Sequence, residues 1–474
     1  MNPIRFSPLL VLLAMFRPEA AHSQVIYDPL LYTHQAMRFG SLASGTEKVA
    51  QFLPGTAFAD GYGSIVDNPA SAALFRDGLF EIAFSMENVR EQSSYLGNSP
   101  AIDDNQFALQ TLGFNYKFPT SRGSLVVGAG YQQLGSTNRV LSVNGRNMEN
   151  SITDQFKIPG SYYEGIAFDA YATDYWDVDQ TFLESIFRIG FLPGDFLGID
   201  QEAEVIEKGG ASEFSAFLAT EFQENLFFGI SVGAYIANTS YDRTWLEIDG
   251  RDLFNDAFID TDGDSIGDTD IDQVLLRDAI DSEATAPAIR IGAVYRLTDN
   301  LRAGAAWRLP STILVIETYD ATIRSTMDNG EYFQAAQSGE YEYSIEQPGT
   351  VSLGFSVGDA KDGLAASFSF DRTDYSSLEM NYSGAETFLN ERTDNTYIQN
   401  EFAEVWDKRG GVSFTFDSGS RVMWRYSQNP SRFRSGGTDR RDVVFGAELP
   451  LQGRAVLNLS LRRTSFDETS VLYD

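Results

Sequence analysis

The sequence predicts an all-β chain, a transmembrane antiparallel β-barrel of about fourteen strands with an N-terminal plug. Three observations predict it. Segments in which apolar and polar residues alternate recur through most of the 474 residues. Short and long connections between them alternate without a break. A secretory-type leader precedes them, and no later stretch is apolar for the ~18 residues that a membrane helix requires. The 35 Phe and 22 Tyr suit strands and membrane-interface girdles.

Residues 1–23 read as the leader. Arg5 supplies a positive start, "SPLLVLLAMF" an apolar core too short to span a bilayer, and "AAHS" a small-residue cleavage site after Ser23. Residues 24–78 form the expected plug, 79–466 the barrel and 467–474 a polar tail. Within the barrel, "LFEIAFSMENVR" sets Phe80, Ile82, Phe84 and Met86 on one face against Glu81, Ser85 and Glu87 on the other. "GVSFTF" opposes Val412, Phe414 and Phe416 to Ser413 and Thr415, and "RAVLNLSLRR" opposes Leu457, Leu459 and Leu461 to Asn458, Ser460 and Arg462. Period two with one greasy and one polar face means a half-buried strand.

Such strands fit a soluble sandwich as well as a barrel, and the connections discriminate. Turns such as 119–123, 224–226, 298–300 and 417–420 are short, whereas 136–203, 243–284 and 381–403 are long. Periplasmic turns and extracellular loops give this asymmetry. Strands are expected near 79–91, 106–118, 123–135, 204–222, 226–242, 285–297, 301–319, 338–357, 363–380, 404–416, 420–429, 440–448 and 454–466. That is one short of the even number usual for single-chain barrels, and "DETSVLYD" lacks a terminal aromatic strand. A fourteenth strand missing at the C-terminus is therefore expected, with the first and last strands left as unpaired edges.

Composition removes several functions. The chain has no Cys and two His, His22 in the leader and His34 near the mature N-terminus, so thiol chemistry, a buried Ser-His pair and a His-rich metal site are excluded. A net charge of −32 repels nucleic acid. It also suits acidic loops bridged to lipopolysaccharide through divalent cations. No catalytic constellation is visible, and an enzyme is not expected.

"GTAFADGYGSIVDNPASAALF" (55–75) resembles the N-terminal hatch of the outer-membrane long-chain fatty-acid transporter (FadL-like) family. Residues 207–235, 292–311 and 341–357 are similar to members of that family too. The resemblance implies a fourteen-stranded barrel whose lumen is blocked by the N-terminal segment. It implies capture of a hydrophobic compound such as a long-chain fatty acid by outer loops, lumenal binding, hatch movement near Asn68-Pro69-Ala70 and lateral release at a kinked third strand. Pro69 fixes its φ, Asn68 can bond neighbouring backbone, and Gly55, Gly61 and Gly63 permit a compact path. In "SLVVGAGYQQLG", Gly128, Gly130 and Gly135 can allow the kink. Pro348-Gly349 is read as a bulge. A monomer in outer-membrane lipid is expected. The competing reading is a structural or secretion-adaptor barrel of the same fold that binds a partner protein.

"DTDGDSIGDTDID" (260–272) is the sharpest local motif. Asp260, Asp262, Asp264, Asp268, Asp270 and Asp272 around two glycines could supply the oxygens of a structural Ca²⁺ site. It departs from the EF-hand pattern at Ser265 and lacks a closing Glu. Short helices within 169–187 and 395–407 are expected to carry packing or capture aromatics.

Overall fold

The computed structural model describes residues 29–45, 52–157, 163–175, 182–189, 196–254, 259, 266–359, 363–382, 388–435, 439–451 and 454–467. The leader, the tail beyond 467 and the loop tip at 260–265 lie outside them.

The chain begins with helix α1 (Pro29–Ser44), which opens on a proline and stops at Gly45, whose φ of 71° accommodates the helix exit. A short helix α2 (Tyr62–Asp67) and a 3₁₀ turn (Pro69–Leu74) follow. The strands are β1 (Leu79–Gln92), β2 (Ala101–Phe118), β3 (Leu125–Ser136), β4 (Arg139–Asn147), the small hairpin β5 (Thr173–Tyr175) and β6 (Leu183–Ser185), β7 (Ile199–Gln223), β8 (Leu226–Ile248) and β9 (Ile271–Arg296). They continue with β10 (Leu301–Arg308), β11 (Ser311–Met327), β12 (Tyr332–Gln347), β13 (Thr350–Val357), β14 (Leu364–Asp374), β15 (Glu379–Tyr382), β16 (Glu404–Thr415), β17 (Arg421–Asn429), β18 (Arg440–Pro450) and β19 (Val456–Ser465). Helices α3 (Thr153–Phe156) and α4 (Glu164–Asp169) sit in the longest loop, and α5 (Phe388–Glu401) lies between β15 and β16.

All strands except β5 and β6 join one sheet, and its ladders are antiparallel throughout. The pairs β3/β4, β10/β11, β12/β13 and β14/β15 are halves of single staves, so the 17 strands make thirteen staves. Pro310 interrupts one stave, and Pro348-Gly349 divides another, where a bulge was expected. Proline cannot donate to a ladder, which places each break.

The alternation is inside out relative to a soluble protein. Phe80, Phe107 and Leu461 point outward and are 73%, 74% and 73% exposed, while Ser367, Ser369, Asp371, Arg409 and Arg425 point inward and are buried. An apolar outer face of this extent needs lipid against it. Residues 52–70 touch Glu81 on β1, Gly113 on β2, Gly229 on β8, Ser356 on β13, Arg409 on β16 and Gly446 on β18. A short segment can meet staves from the first to the twelfth only if the sheet wraps around it.

The wrap is not closed. Among the described residues no ladder joins β1 to β19, and a groove of about 2370 Å³ separates them, lined by Phe84 and Glu87 on one bank and Leu457 and Leu461 on the other. The expected unpaired edges are there.

The expected long loops are shorter than the sequence suggested. β8 runs to Ile248 and β9 starts at Ile271, so the 243–284 loop shrinks to 249–270, while β4 extends into the 136–203 loop and α5 occupies much of 381–403. Beyond the apolar belt both faces of a strand meet polar surroundings or packed loops. The contrast between faces fades there, and the strand signal fades with it.

Candidate functional site

Asn68 is the centre of the hatch. It is fully buried with φ −150° and ψ 108°, the extended conformation expected before proline. Its Oδ1 accepts from Ala70 N at 3.0 Å and so caps the 3₁₀ turn, for which Pro69 supplies the first residue. Its Nδ2 donates to Thr56 O at 2.7 Å, Ala293 O on β9 at 3.1 Å and Ala305 O on β10 at 3.3 Å. One amide therefore ties the hatch to itself and to two staves. The wall makes room for it, because a Cβ on Gly292 would fall 1.9 Å from Asn68 Oδ1.

Two buried arginines clamp the same segment. Asp67 pairs with Arg409 at 3.0 Å, and Arg409 also pairs with Asp371 at 2.9 Å. The Asp67 carboxylate additionally accepts from Gly55 N at 2.9 Å. Asp60 pairs with Arg421 at 2.6 Å, beside Glu448 at 3.1 Å, and accepts from Leu53 N at 3.0 Å. Gly61 takes φ 76° to start α2, and Tyr62 N then donates to Glu81 on β1 at 2.8 Å. Gly63 is buried within α2. The sequence reading singled out Asn68, Pro69, Ala70 and the three glycines, and the structure brings them together. It missed Asp60, Asp67, Arg409 and Arg421. For the two arginines the signal was parity: each occupies an inward position on a strand that carries apolar residues such as Val412, Phe414, Val422 and Trp424 outward.

Tyr62 carries the hatch into the wall. A Cβ on Gly113 or Gly130, which face each other across β2 and β3, would lie 2.3 or 2.6 Å from its ring. Its hydroxyl bonds Ser215 on β7, and its ring meets Phe217 at a centroid distance of 6.2 Å. On the outer surface of the same patch lies an apolar groove of about 560 Å³ lined by Phe80, Leu112, Phe114, Tyr131 and Phe214.

Of the three glycines expected to allow a kink in β3, Gly135 sits at the irregularity, whereas Gly128 and Gly130 do not. Both lie in unbroken ladders on each side, and their missing side chains make room for Phe217 and Tyr62. The irregularity falls between Gln133 and Gly135, where Leu134 has no partner on β7 and turns into the core. The β2–β3 ladder ends just before it, at Thr111 opposite Gln132. Past that point the staves part, and side chains lace the seam. Gln110 donates to Gln133 across the seam at 2.6 Å, while Ser136 and Asn138 reach past β2 and donate to Glu87 on β1 at 2.9 and 2.8 Å.

Above the hatch, α1 fills the interior. Tyr235 donates to Phe39 O and Gln347 to Gly40 O, both at 3.1 Å, and Arg38 pairs with Glu207 at 2.7 Å. Met37, Phe39 and Leu42 join Tyr62, Phe217 and Tyr235 in one apolar core. Beside it Arg308 is buried, and none of its three side-chain nitrogens has a hydrogen-bond partner among the described residues. The neighbouring Arg290 takes the single carboxylate of Glu213. Arg308 thus stands buried beside an ion pair that it does not join by a hydrogen bond.

Asp260, Asp262 and Asp264 lie outside the described residues, Asp268 is exposed, Asp270 is buried and Asp272 belongs to β9. In the loops, the β5–β6 hairpin lies where a helix was expected within 169–187, and α5 overlaps the first half of 395–407 before β16 begins.

No family model and no curated protein matches the sequence. Solved structures do resemble the fold. One is the toluene transporter TodX of Pseudomonas putida, 12% identical with a TM-score of 0.47 over 88% of this chain and 92% of that one. A second is the CymD monoaromatic hydrocarbon channel, 12% identical with a TM-score of 0.43 over 87% and 90%. A third is the toluene transporter TbuX of Ralstonia pickettii, 13% identical with a TM-score of 0.38 over 88% and 95%.

Proposed function

We propose that this chain carries hydrophobic compounds across an outer membrane, holding them in the barrel interior and releasing them sideways into lipid at the seam between β2 and β3. The observation that carries this reading is the position of Tyr62. A side chain of the hatch backs two wall glycines beside the point where the ladder ends, and an apolar groove lies outside the same patch. Movement of the hatch would withdraw the ring and join the interior to the groove. Each CH₂ moved from water into such surroundings gains ~0.8 kcal/mol, which suits a long acyl chain.

Arg308 supports an acid-bearing amphiphile, such as a long-chain fatty acid, over a neutral hydrocarbon, since a buried guanidinium without an anion is unfavourable. Asn68-Pro69-Ala70, with Gly55, Gly61 and Gly63, would be the hinge of the release step. The deciding experiment measures uptake of labelled oleate and of toluene in cells lacking transporters of their own. We expect deletion of 55–70, or Pro69→Leu, to lower the uptake of both. Arg308→Gln is expected to lower oleate uptake and spare toluene. Unchanged uptake of both compounds in the deletion variant counts against the reading.

A further inference from the structure

The acidity of the chain stops at its last four staves. Residues 404–467 hold eleven Lys and Arg against seven Asp and Glu, in a protein of net charge −32. Strand parity sorts these cations into two sets. Arg409, Arg421 and Arg462 point inward, and each meets a carboxylate, from Asp67, Asp60 and Asp442. Lys408 on β16, Arg441 on β18 and Arg463 on β19 point outward and are exposed, and none of the three has an ion-pair partner among the described residues. Arg372 also points outward, but it is paired with Glu404.

Register sets the three side by side. Lys408 stands opposite Gln428, Gln428 opposite Arg441 and Arg441 opposite Ser465, so one outward row crosses β16 to β19. Arg463 is one row lower on the same face, opposite Val443. Neighbouring strands lie ~4.8 Å apart, so the backbones of Lys408 and Arg441 are about 10 Å apart, and Arg463 is a diagonal neighbour of Arg441 at ~7–8 Å. The row also touches a carboxylate, since Asp439 accepts from Gln428 at 2.6 Å. Beneath the cations the outward positions turn apolar. Trp424, Phe445 and Leu461 form one row, and Val422, Ala447 and Leu459 the next. The cations lie at the ends of β18 and β19 away from the short turn that joins them, which is the outer side of the barrel.

We propose that Lys408, Arg441 and Arg463 bind the phosphates of an acylated glycolipid of the outer leaflet, whose acyl chains lie along Trp424, Phe445 and Leu461. A cation on the lipid face is costly at the bilayer midplane and nearly free at the interface, so these three residues mark the headgroup level. Their long side chains can lean along the apolar surface and keep their charges among the headgroups. Arginine matches a phosphate with two parallel N–H donors, and lysine adds a point charge. The apolar rows directly beneath favour a lipid over a free anion. Contact of this kind needs no metal, unlike the bridging of acidic loops to lipopolysaccharide that the composition suggests. The site depends on the outer-membrane placement of the proposed function and not on what the barrel carries.

The test is binding of fluorescently labelled, phosphorylated lipid A to the full chain in detergent with EDTA present. Saturable binding is expected, and it should weaken as salt rises. Lys408→Gln/Arg441→Gln/Arg463→Gln should lower the affinity at least about tenfold with an unchanged unfolding midpoint, whereas Lys408→Arg/Arg441→Lys/Arg463→Lys should keep most of it. Arg122→Gln/Arg454→Gln, at exposed turns on the opposite end, should bind like the parent. Lipid A stripped of its phosphates should bind the parent no better than the phosphorylated form binds the triple glutamine variant. Inorganic phosphate should displace the label no more than chloride at equal ionic strength. Uptake of a hydrophobic substrate is not read, so failure here leaves the transport reading standing. No saturable binding with EDTA present, full affinity in the triple glutamine variant, equal loss in the opposite-end variant, or displacement by inorganic phosphate would each overturn the proposal.

Discussion

Asn68 uses every hydrogen-bonding group of its side chain, and three of its four partners are backbone carbonyls. Asn68→Ala removes these bonds and leaves Thr56 O inside a dry core. We expect a loss of about 2–4 kcal/mol, read as a lower midpoint of thermal unfolding in detergent. Arginines sort by burial in the same way. Arg409→Gln breaks a pair that is 4% exposed on the arginine side and 2% on the Asp67 side, and it should cost about 3–5 kcal/mol. Arg372→Gln breaks an exposed pair with Glu404 and should leave the midpoint in the same assay unchanged. The roles of these residues were unequally legible. Asn68-Pro69 stands out because asparagine before proline imposes a defined local bend. Arg409 and Arg421 act on partners 342 and 361 positions away, and no local pattern records such a distance.

For elements, legibility followed the solvent. Where a strand crosses the apolar belt, its two faces meet opposite environments. Alternation there fixed all thirteen staves, as with Phe80 to Met86 on β1 and Val412 to Phe416 on β16. β4 and the outer part of β9 went unread because both of their faces lie among loops and polar groups. The helix α1 hid for a related reason. It lies inside the wall with most of its circumference covered, and its open side is only a narrow stripe of His34, Arg38 and Ser41 beside the groove, too short to read as a periodic pattern. The seam between β2 and β3 yields a sharper expectation. The chain has no cysteine, so Gln110→Cys/Gln133→Cys supplies the only two thiols, at positions on β2 and β3 whose native side chains lie 2.6 Å apart. Joining them with a short bis-maleimide should abolish uptake of a hydrophobic substrate, while each single variant treated alike stays active.

At the scale of the whole molecule, exterior and interior exchange their usual tolerances. Leu459→Arg places a charge on the outer face and should cost about 2–4 kcal/mol if that position lies near the bilayer midplane. Ser413→Ala, on the inner face of β16, should cost under about 1 kcal/mol, and folding into liposomes followed by urea titration compares the two. The clamps also bear on how the fold is reached. Asp67 leaves the ribosome 342 residues before Arg409, its partner. Contacts of that span are slow to form, because a long loop must close before any of them is gained. The hatch is thus among the first segments made and among the last secured. Until β16 and β17 arrive, its acidic side chains have nothing to hold, and a carrier that shields an exposed N-terminal segment would be needed at just that stage.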